Sequence, residues 1–101
     1  MTEREQIAYQ DVRAFCYRRE GGYCATCGKP LQDFQLAHII PQRKHWIKRY
    51  GKALIHHPEN MRATCPTDLC NGAQSLGNNA YLIERHAAKI TAMMAEEDVY
   101  V

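Results

Sequence analysis

The sequence predicts a small α+β domain that is stabilised by a bound metal ion, and three observations lead to this prediction. The chain has 101 residues, which is the size of one domain with a modest hydrophobic core. It contains five cysteines, which is many for a chain of this length. The pattern of apolar residues and turn residues predicts the order helix, cysteine-containing turn, strand, strand, helix, helix.

The first predicted element is a helix over residues 3–19. It opens on the capping-box pattern Thr2-Glu3-Arg4-Glu5 and ends at Gly21-Gly22. Its predicted apolar face is formed by Ala8, Val12, Phe15 and Cys16.

The middle of the chain predicts a hairpin with a helical insertion. Residues 23–31, "YCATCGKPL", predict a tight turn, and residues 34–40, "FQLAHII", predict a strand that ends at Pro41. A short helix is expected over residues 42–50, stopped by Gly51. Residues 53–65 are expected to form a loop, a turn and a second strand.

Two helices are predicted after the second strand. The first begins in "PTDLCNGAQSLG", residues 66–77, with Thr67 as its N-cap and an interruption at Gly77. The second covers residues 79–97. Its helical spacing places on one face the apolar residues Ile83, Ala87, Ile90 and Met94.

Four of the cysteines form two pairs, Cys24-x2-Cys27 and Cys65-x4-Cys70. In a C-x2-C turn the backbone amides point toward the thiolates, and Gly28 tolerates a positive φ. Two such pairs can close one tetrahedral structural Zn²⁺ site. Four unligated buried cysteines are the alternative, and a redox motif is disfavoured because no βαβ pattern surrounds the first pair. We expect Cys16 to be a core residue.

The expected location of the protein is the cytoplasm. The N-terminus, "MTEREQ", is charged and does not resemble a signal peptide, and no stretch is apolar enough to cross a membrane. A reducing compartment disfavours disulfides, which makes metal binding the leading explanation for the cysteines.

The order of these motifs resembles that of the HNH endonuclease family. The resemblance covers about residues 22–76 and rests on both cysteine pairs, on "HIIP" at His38, on "PENM" around Asn60, and on Asn71 directly after Cys70. It implies a ββα-metal finger, a β-hairpin and a helix around one catalytic metal ion. Residues 1–101 would then form a single HNH-type domain, with the predicted helices 3–19 and 79–97 flanking its core.

The resemblance also implies a role for three residues. His38 would be the general base that takes a proton from the water attacking a phosphodiester, and Asn60 would brace the loop that orients His38. Asn71 would offer its amide oxygen to a catalytic divalent cation, expected to be Mg²⁺. The alternatives are a core histidine at His38, a turn residue at Asn60 and a helix-surface amide at Asn71.

One residue departs from the family pattern. Most members carry an acidic or histidine metal ligand directly before the catalytic histidine, and this chain has Ala37 there. Gln35, His56 or His57 can fill the gap, the cation can be held mainly by Asn71, phosphate and water, or the site is degenerate. Exposed loop histidines are the favoured interpretation of His56 and His57.

A basic segment lies between Asp33 and Glu59, where the sequence has no acidic residue. Trp46 and Tyr50 are interleaved in it. Such a segment is typical of a phosphate-backbone binder. The alternative is a solvated helix face with Trp46 in the core. The predicted phosphate contacts are Arg43, Lys44, Lys48, Arg49 and Lys52.

These observations favour a metal-dependent nuclease that hydrolyses phosphodiester bonds, with DNA as the expected substrate and no membrane partner. The alternative is a zinc-stabilised nucleic-acid-binding module on the same scaffold, with catalysis lost at Ala37. A third interpretation is a zinc-stabilised protein-interaction domain that uses Met93 and Met94 on the last helix.

Overall fold

The computed structural model describes residues 3–99, with the side chains of residues 9–97. A 3₁₀ turn at Pro58–Asn60 precedes the second strand. The described elements are α1 (Glu3–Arg19), β1 (Gln35–His38), α2 (Lys44–Tyr50), α3 (Lys52–Ile55), β2 (Met61–Thr64), α4 (Asp68–Gly72) and α5 (Ala80–Val99). This is a small α+β architecture, as the sequence predicts.

The sheet consists of β1 and β2, which pair antiparallel with Gln35 opposite Thr64 and His38 opposite Met61. The predicted strand, 34–40, is longer than the observed one. β1 stops at His38 because the next two residues turn toward Asn60, whose backbone carbonyl accepts from the Ile39 amide at 2.9 Å.

Two apolar clusters form the core. The first lies between α1 and one face of the sheet and contains Cys16, Leu31, Leu36, Met61 and Ala63, beside Cys24 and Cys70. The second joins the segment after β1 to the helices α2, α3 and α5, through Ile40, Trp46, Leu54, Ile55, Ile83, Ala87 and Ile90. The predicted buried face of the last helix is confirmed, and Met94 packs against the second cluster.

The predicted buried face of α1 is wrong at one position. Cys16 is fully buried and Val12 packs beside it, but Phe15 is 45% exposed. Position 15 lies about 100° around the helix from position 16, so it misses the sheet that Cys16 contacts. The predictions for Thr2 and the Ala8 side chain fall outside the described residues.

The connection after α2 is helical where the sequence predicts a loop. Lys52–Ile55 form the short helix α3, because one helical turn buries both Leu54 and Ile55 in the second cluster. Thr67 caps α4 as predicted, and its hydroxyl accepts from the Cys70 amide at 3.2 Å. However, α4 already ends at Gly72.

None of the helices within residues 3–99 combines the length and the apolar composition that a membrane crossing requires.

Candidate metal centre and histidine site

The four paired cysteines meet in one cluster. Cys24 and Cys27 lie in the turn before β1, Cys65 directly follows β2, and Cys70 lies in α4. Their four Sγ atoms are all within 4.8 Å of one another, and the Sγ atoms of Cys27 and Cys65 are 3.7 Å apart. Sulfurs that surround Zn²⁺ tetrahedrally at about 2.3 Å are separated by about 3.8 Å, so the cluster has the size of a zinc site.

Backbone amides converge on the Cys24 thiol. The amides of Thr26 and Cys27 each lie 3.4 Å from its Sγ atom, and the amide of Cys65 lies 3.3 Å away. The turn closes because Gly28, at φ +77°, donates its amide to the Cys24 carbonyl at 2.9 Å. Both features were predicted from the C-x2-C-Gly pattern.

The electrostatics of the cluster favour a bound cation. Burial opposes ionisation of Cys24, but the three amides outweigh it and lower the pKa of this thiol to about 6. Hydrogen bonding with Cys27, together with burial, raises the pKa of Cys65 to about 12. A thiolate at Cys24 therefore favours the protonated form of Cys65, and a divalent cation that binds the sulfurs displaces that proton.

The cluster joins three separate parts of the fold. The Thr26 hydroxyl donates to the Cys70 carbonyl at 2.6 Å, and the Ala25 amide donates to the Ala63 carbonyl at 2.9 Å. These bonds attach the cysteine turn to both α4 and β2. A metal ion bound here fixes α4 against the sheet, which is a structural role. In the described part of the chain, no other group of three His, Cys, Asp or Glu side chains is arranged to hold a metal.

His38 lies at the other end of the sheet, at the last position of β1, and is partly buried. Its Nε2 atom is 3.2 Å from Nδ1 of His56, and its Nδ1 atom is 3.1 Å from Nε2 of Gln42. Burial, followed by the charge of His56, lowers the pKa of His38 to about 4. The shift favours the neutral imidazole and also makes its lone pair a weaker proton acceptor. Its role as a base stays a prediction.

Asn60 is fully buried and ties two segments together. Its Oδ1 atom accepts from the Ile40 amide at 2.9 Å, and its Nδ2 atom donates to the carbonyls of Ile40, at 3.2 Å, and Ile55, at 2.8 Å. Ile40 follows His38 by two residues, and Ile55 directly precedes His56. The side chain thus ties the segment after His38 to the segment before His56, and its role as a brace for His38 stays a prediction.

Asn71 approaches a different part of the sheet. Its Nδ2 atom lies 3.4 Å from the Thr64 hydroxyl. Thr64 pairs with Gln35, three positions or about 10 Å along the strand from His38. No hydrogen bond joins Asn71 to His38 among the described side chains. Thr64 and Ala37 share a sheet face, so Asn71 approaches the face of the sheet that carries Ala37.

The three residues proposed to compensate for Ala37 have different surroundings. Ala37 itself is fully buried and pairs with Arg62. Gln35 is exposed at the far end of β1. The Nδ1 atom of His57 accepts from the Glu59 amide at 3.1 Å, and its Nε2 atom lies 2.9 Å from Oε1 of Glu97 on α5. Of the three, His56 is the one in contact with His38.

The basic segment divides into two groups. Arg43 donates to the Asn78 side chain at 2.7 Å, and Arg49 forms an ion pair with Glu84 at 2.6 Å. The three lysines, in contrast, are exposed and form no ion pair with any side chain that the structure describes. They are Lys44 and Lys48 on α2 and Lys52 on α3.

The aromatic residues of this segment pack toward the core. Trp46 is buried in the second cluster and stacks on the partly buried Tyr50, with ring centroids 6.2 Å apart. This matches the alternative given in the sequence analysis, in which Trp46 lies in the core. The helix therefore presents lysines to the solvent and its large aromatic residue to the core.

The sequence analysis did not predict that Gln42 and His56 contact His38. Gln42 follows His38 by four residues, which is a detectable spacing, although Pro41 between them made a contact unexpected. The contact of His56 with His38 depends on the Asn60 hydrogen bonds and has no local sequence signal.

Comparison with known proteins finds no match to a family model, to a curated protein or to a solved structure. The likeness to HNH endonucleases therefore rests on the motifs of the sequence.

Proposed function

We propose that the protein is a metal-dependent nuclease of the HNH type that hydrolyses phosphodiester bonds, with DNA as its substrate. The observation that supports this most is the placement of His38. Its Nδ1 atom lies in an exposed contact with Gln42, where a water molecule can reach it, and Asn60 anchors the segment that follows it. Exposed lysines lie on the neighbouring helices α2 and α3.

The zinc ion in this proposal is structural. Cys24, Cys27, Cys65 and Cys70 supply four thiolates, which fill a tetrahedral Zn²⁺ site and leave no position for substrate. Its contribution to function is to fix α4, and with it Asn71, against the sheet.

The reaction begins at His38. Its Nδ1 atom, which faces Gln42, takes a proton from a water molecule, and the resulting hydroxide attacks the phosphorus. The bond from phosphorus to the leaving oxygen breaks, and that oxygen takes a proton from solvent. Gln42 is exposed and moves aside or hydrogen-bonds that water. Lys44, Lys48 and Lys52 bind the phosphates on either side of the scissile bond through their charge.

A bound divalent cation supplies charge stabilisation at the phosphate and at the leaving oxygen. The groups on the Ala37 face fit such a cation only in part. The amide oxygen of Asn71 is a suitable hard donor, but position 37 carries no ligand atom. Substrate phosphate and water must complete the coordination, so we expect weak cation binding without nucleic acid.

The second candidate function is a nucleic-acid-binding module without catalysis. The observation that favours it is the same buried Ala37. The protein-interaction interpretation is less well supported, because Met94 packs against the second core cluster.

Nicking of supercoiled plasmid tests the proposal. The zinc-loaded protein is incubated with Mg²⁺ or Mn²⁺ beside His38→Ala, purified identically. We expect cleavage by the wild type and a loss of roughly 10²- to 10⁴-fold in the variant, which is the usual contribution of a positioned base. Equal rates for the two proteins would contradict the role of His38. Salt-dependent DNA binding without cleavage would favour the binding module.

A further inference from the structure

His38 and His56 form a pair that the proposed chemistry does not yet use. Their facing nitrogens are 3.2 Å apart, and the two rings are nearly perpendicular, at 82°. A nitrogen–nitrogen distance of this length is a hydrogen bond. His56 ends the short helix α3 and lies at the exposed edge of the site.

The contacts of His38 select one tautomer. With the amide nitrogen of Gln42 placed toward His38, this nitrogen donates and Nδ1 of His38 accepts. A neutral imidazole then carries its proton on Nε2 and donates it to Nδ1 of His56. The pair therefore leaves the basic lone pair of His38 on the nitrogen that faces solvent and Gln42.

We propose that His56 is a positioning residue for this site, which holds His38 in the Nε2–H tautomer and fixes the orientation of its ring. The inference rests on the proposed function, since it assigns His56 to the same reaction. When Nδ1 of His38 takes the proton of the attacking water, Nε2 keeps its own proton and continues to donate to His56. No proton leaves the pair in this step, and His56 stays neutral.

The surrounding structure keeps the two rings together. Asn60 bonds to Ile40, two residues after His38, and to Ile55, one residue before His56. Because one buried side chain holds both backbones, the distance between the rings is set by the fold. Two further groups face the pair. Gln42 contacts His38. Burial lowers the pKa of His56, and the charge of the nearby Lys52 lowers it further.

The first test observes the hydrogen bond without catalysis. Long-range proton–nitrogen NMR spectra of ¹⁵N-labelled, zinc-loaded protein at pH 7 report the tautomer of each histidine. We expect the Nε2–H tautomer for His38, with a slowly exchanging ring proton that is lost in His56→Ala and restored in His56→Asn. The amide oxygen of asparagine lies close to the position of the histidine Nδ1 atom and can accept the same proton. A wild-type Nδ1–H tautomer would contradict the inference.

The second test measures cleavage by the same variants. We expect His56→Ala to lower the rate about tenfold, as for the loss of one orienting hydrogen bond, and His56→Asn to recover most of it. The matched control is His45→Ala, because His45 is an exposed histidine on α2. It should cleave like the wild type.

The outcomes separate the two proposals. Wild-type rates for His56→Ala overturn the positioning role and leave the nuclease standing. Equal losses in His56→Ala and His56→Asn also overturn it, because the acceptor atom is then irrelevant. If the wild type cleaves no nucleic acid, the proposed function fails, while the NMR spectra still decide whether His56 orients His38.

Discussion

Replacing Asn60 with alanine should be the most destabilising single change near the site. The substitution removes three hydrogen bonds, of 2.8, 2.9 and 3.2 Å. It also leaves the Ile40 amide and the carbonyls of Ile40 and Ile55 without these partners. At about 1 kcal/mol for each bond, plus the cavity left in a fully buried position, the loss is about 3–5 kcal/mol. That is a large share of the stability of a small domain.

Thermal and urea denaturation of the zinc-loaded proteins, followed by circular dichroism, measure this loss. A loss of this size lowers the Tm of a domain of this length by roughly 15–30 °C. Asn71→Ala is the matched control. Its side chain makes one bond of 3.4 Å and is partly exposed, so its replacement should lower the free energy of unfolding by less than about 1 kcal/mol.

A third variant separates shape from hydrogen bonding. Asn60→Asp keeps the shape of the side chain but replaces the donor nitrogen with an oxygen that faces two carbonyl oxygens. We expect it to be at least as unstable as Asn60→Ala at neutral pH. If Asn60→Ala loses less than about 1 kcal/mol, the bracing role derived from these bonds is wrong.

The remaining predictions concern the zinc, the lysines and acid. Purified protein should contain about one tightly bound zinc per chain, and Cys24→Ser should lose the zinc and unfold; a normal fold without metal would contradict this. Replacing Lys48 and Lys52 with glutamine should reduce, by about two units, the slope of the logarithm of the DNA-binding constant against the logarithm of the salt concentration. Arg49→Gln should change this slope less, because Arg49 is already paired with Glu84. Because the pKa of His38 is lowered to about 4, the unfolded chain takes up a proton below about pH 6.5, before the folded protein does. Stability should therefore fall as the pH falls from about 6.5 to 4, by about 1–2 kcal/mol after allowance for solvent exposure, and urea titrations should show a smaller fall for His38→Ala.

The features that were predicted correctly depend on local chemistry. Both cysteine pairs, the positive φ of Gly28 and the Thr67 cap follow from residue type and spacing within a few positions. The buried face of α5 follows from a long and regular helical period. These signals need no knowledge of the remainder of the chain.

The features that were missed depend on contacts between distant segments. Helix α3 forms because Leu54 and Ile55 reach a cluster that α5 completes. Arg49 forms an exposed ion pair with Glu84 on α5, and no local pattern shows this pairing; the predicted phosphate contact of Arg49 stays a prediction. The His38–His56 contact likewise follows from the bonds of one buried asparagine.

The central claim is that His38 and the empty ligand position at Ala37 belong to one nuclease site. The most direct test is the initial rate of plasmid nicking as a function of Mg²⁺ or Mn²⁺ concentration for the wild type and Ala37→Asp, with His38→Ala as the baseline. We expect Ala37→Asp to cleave faster and to reach half its maximal rate at a lower cation concentration, because it restores a carboxylate ligand on the face that Asn71 approaches. If neither the wild type nor Ala37→Asp cleaves DNA or RNA with any divalent cation, the nuclease account is wrong and the nucleic-acid-binding module replaces it as the proposed function.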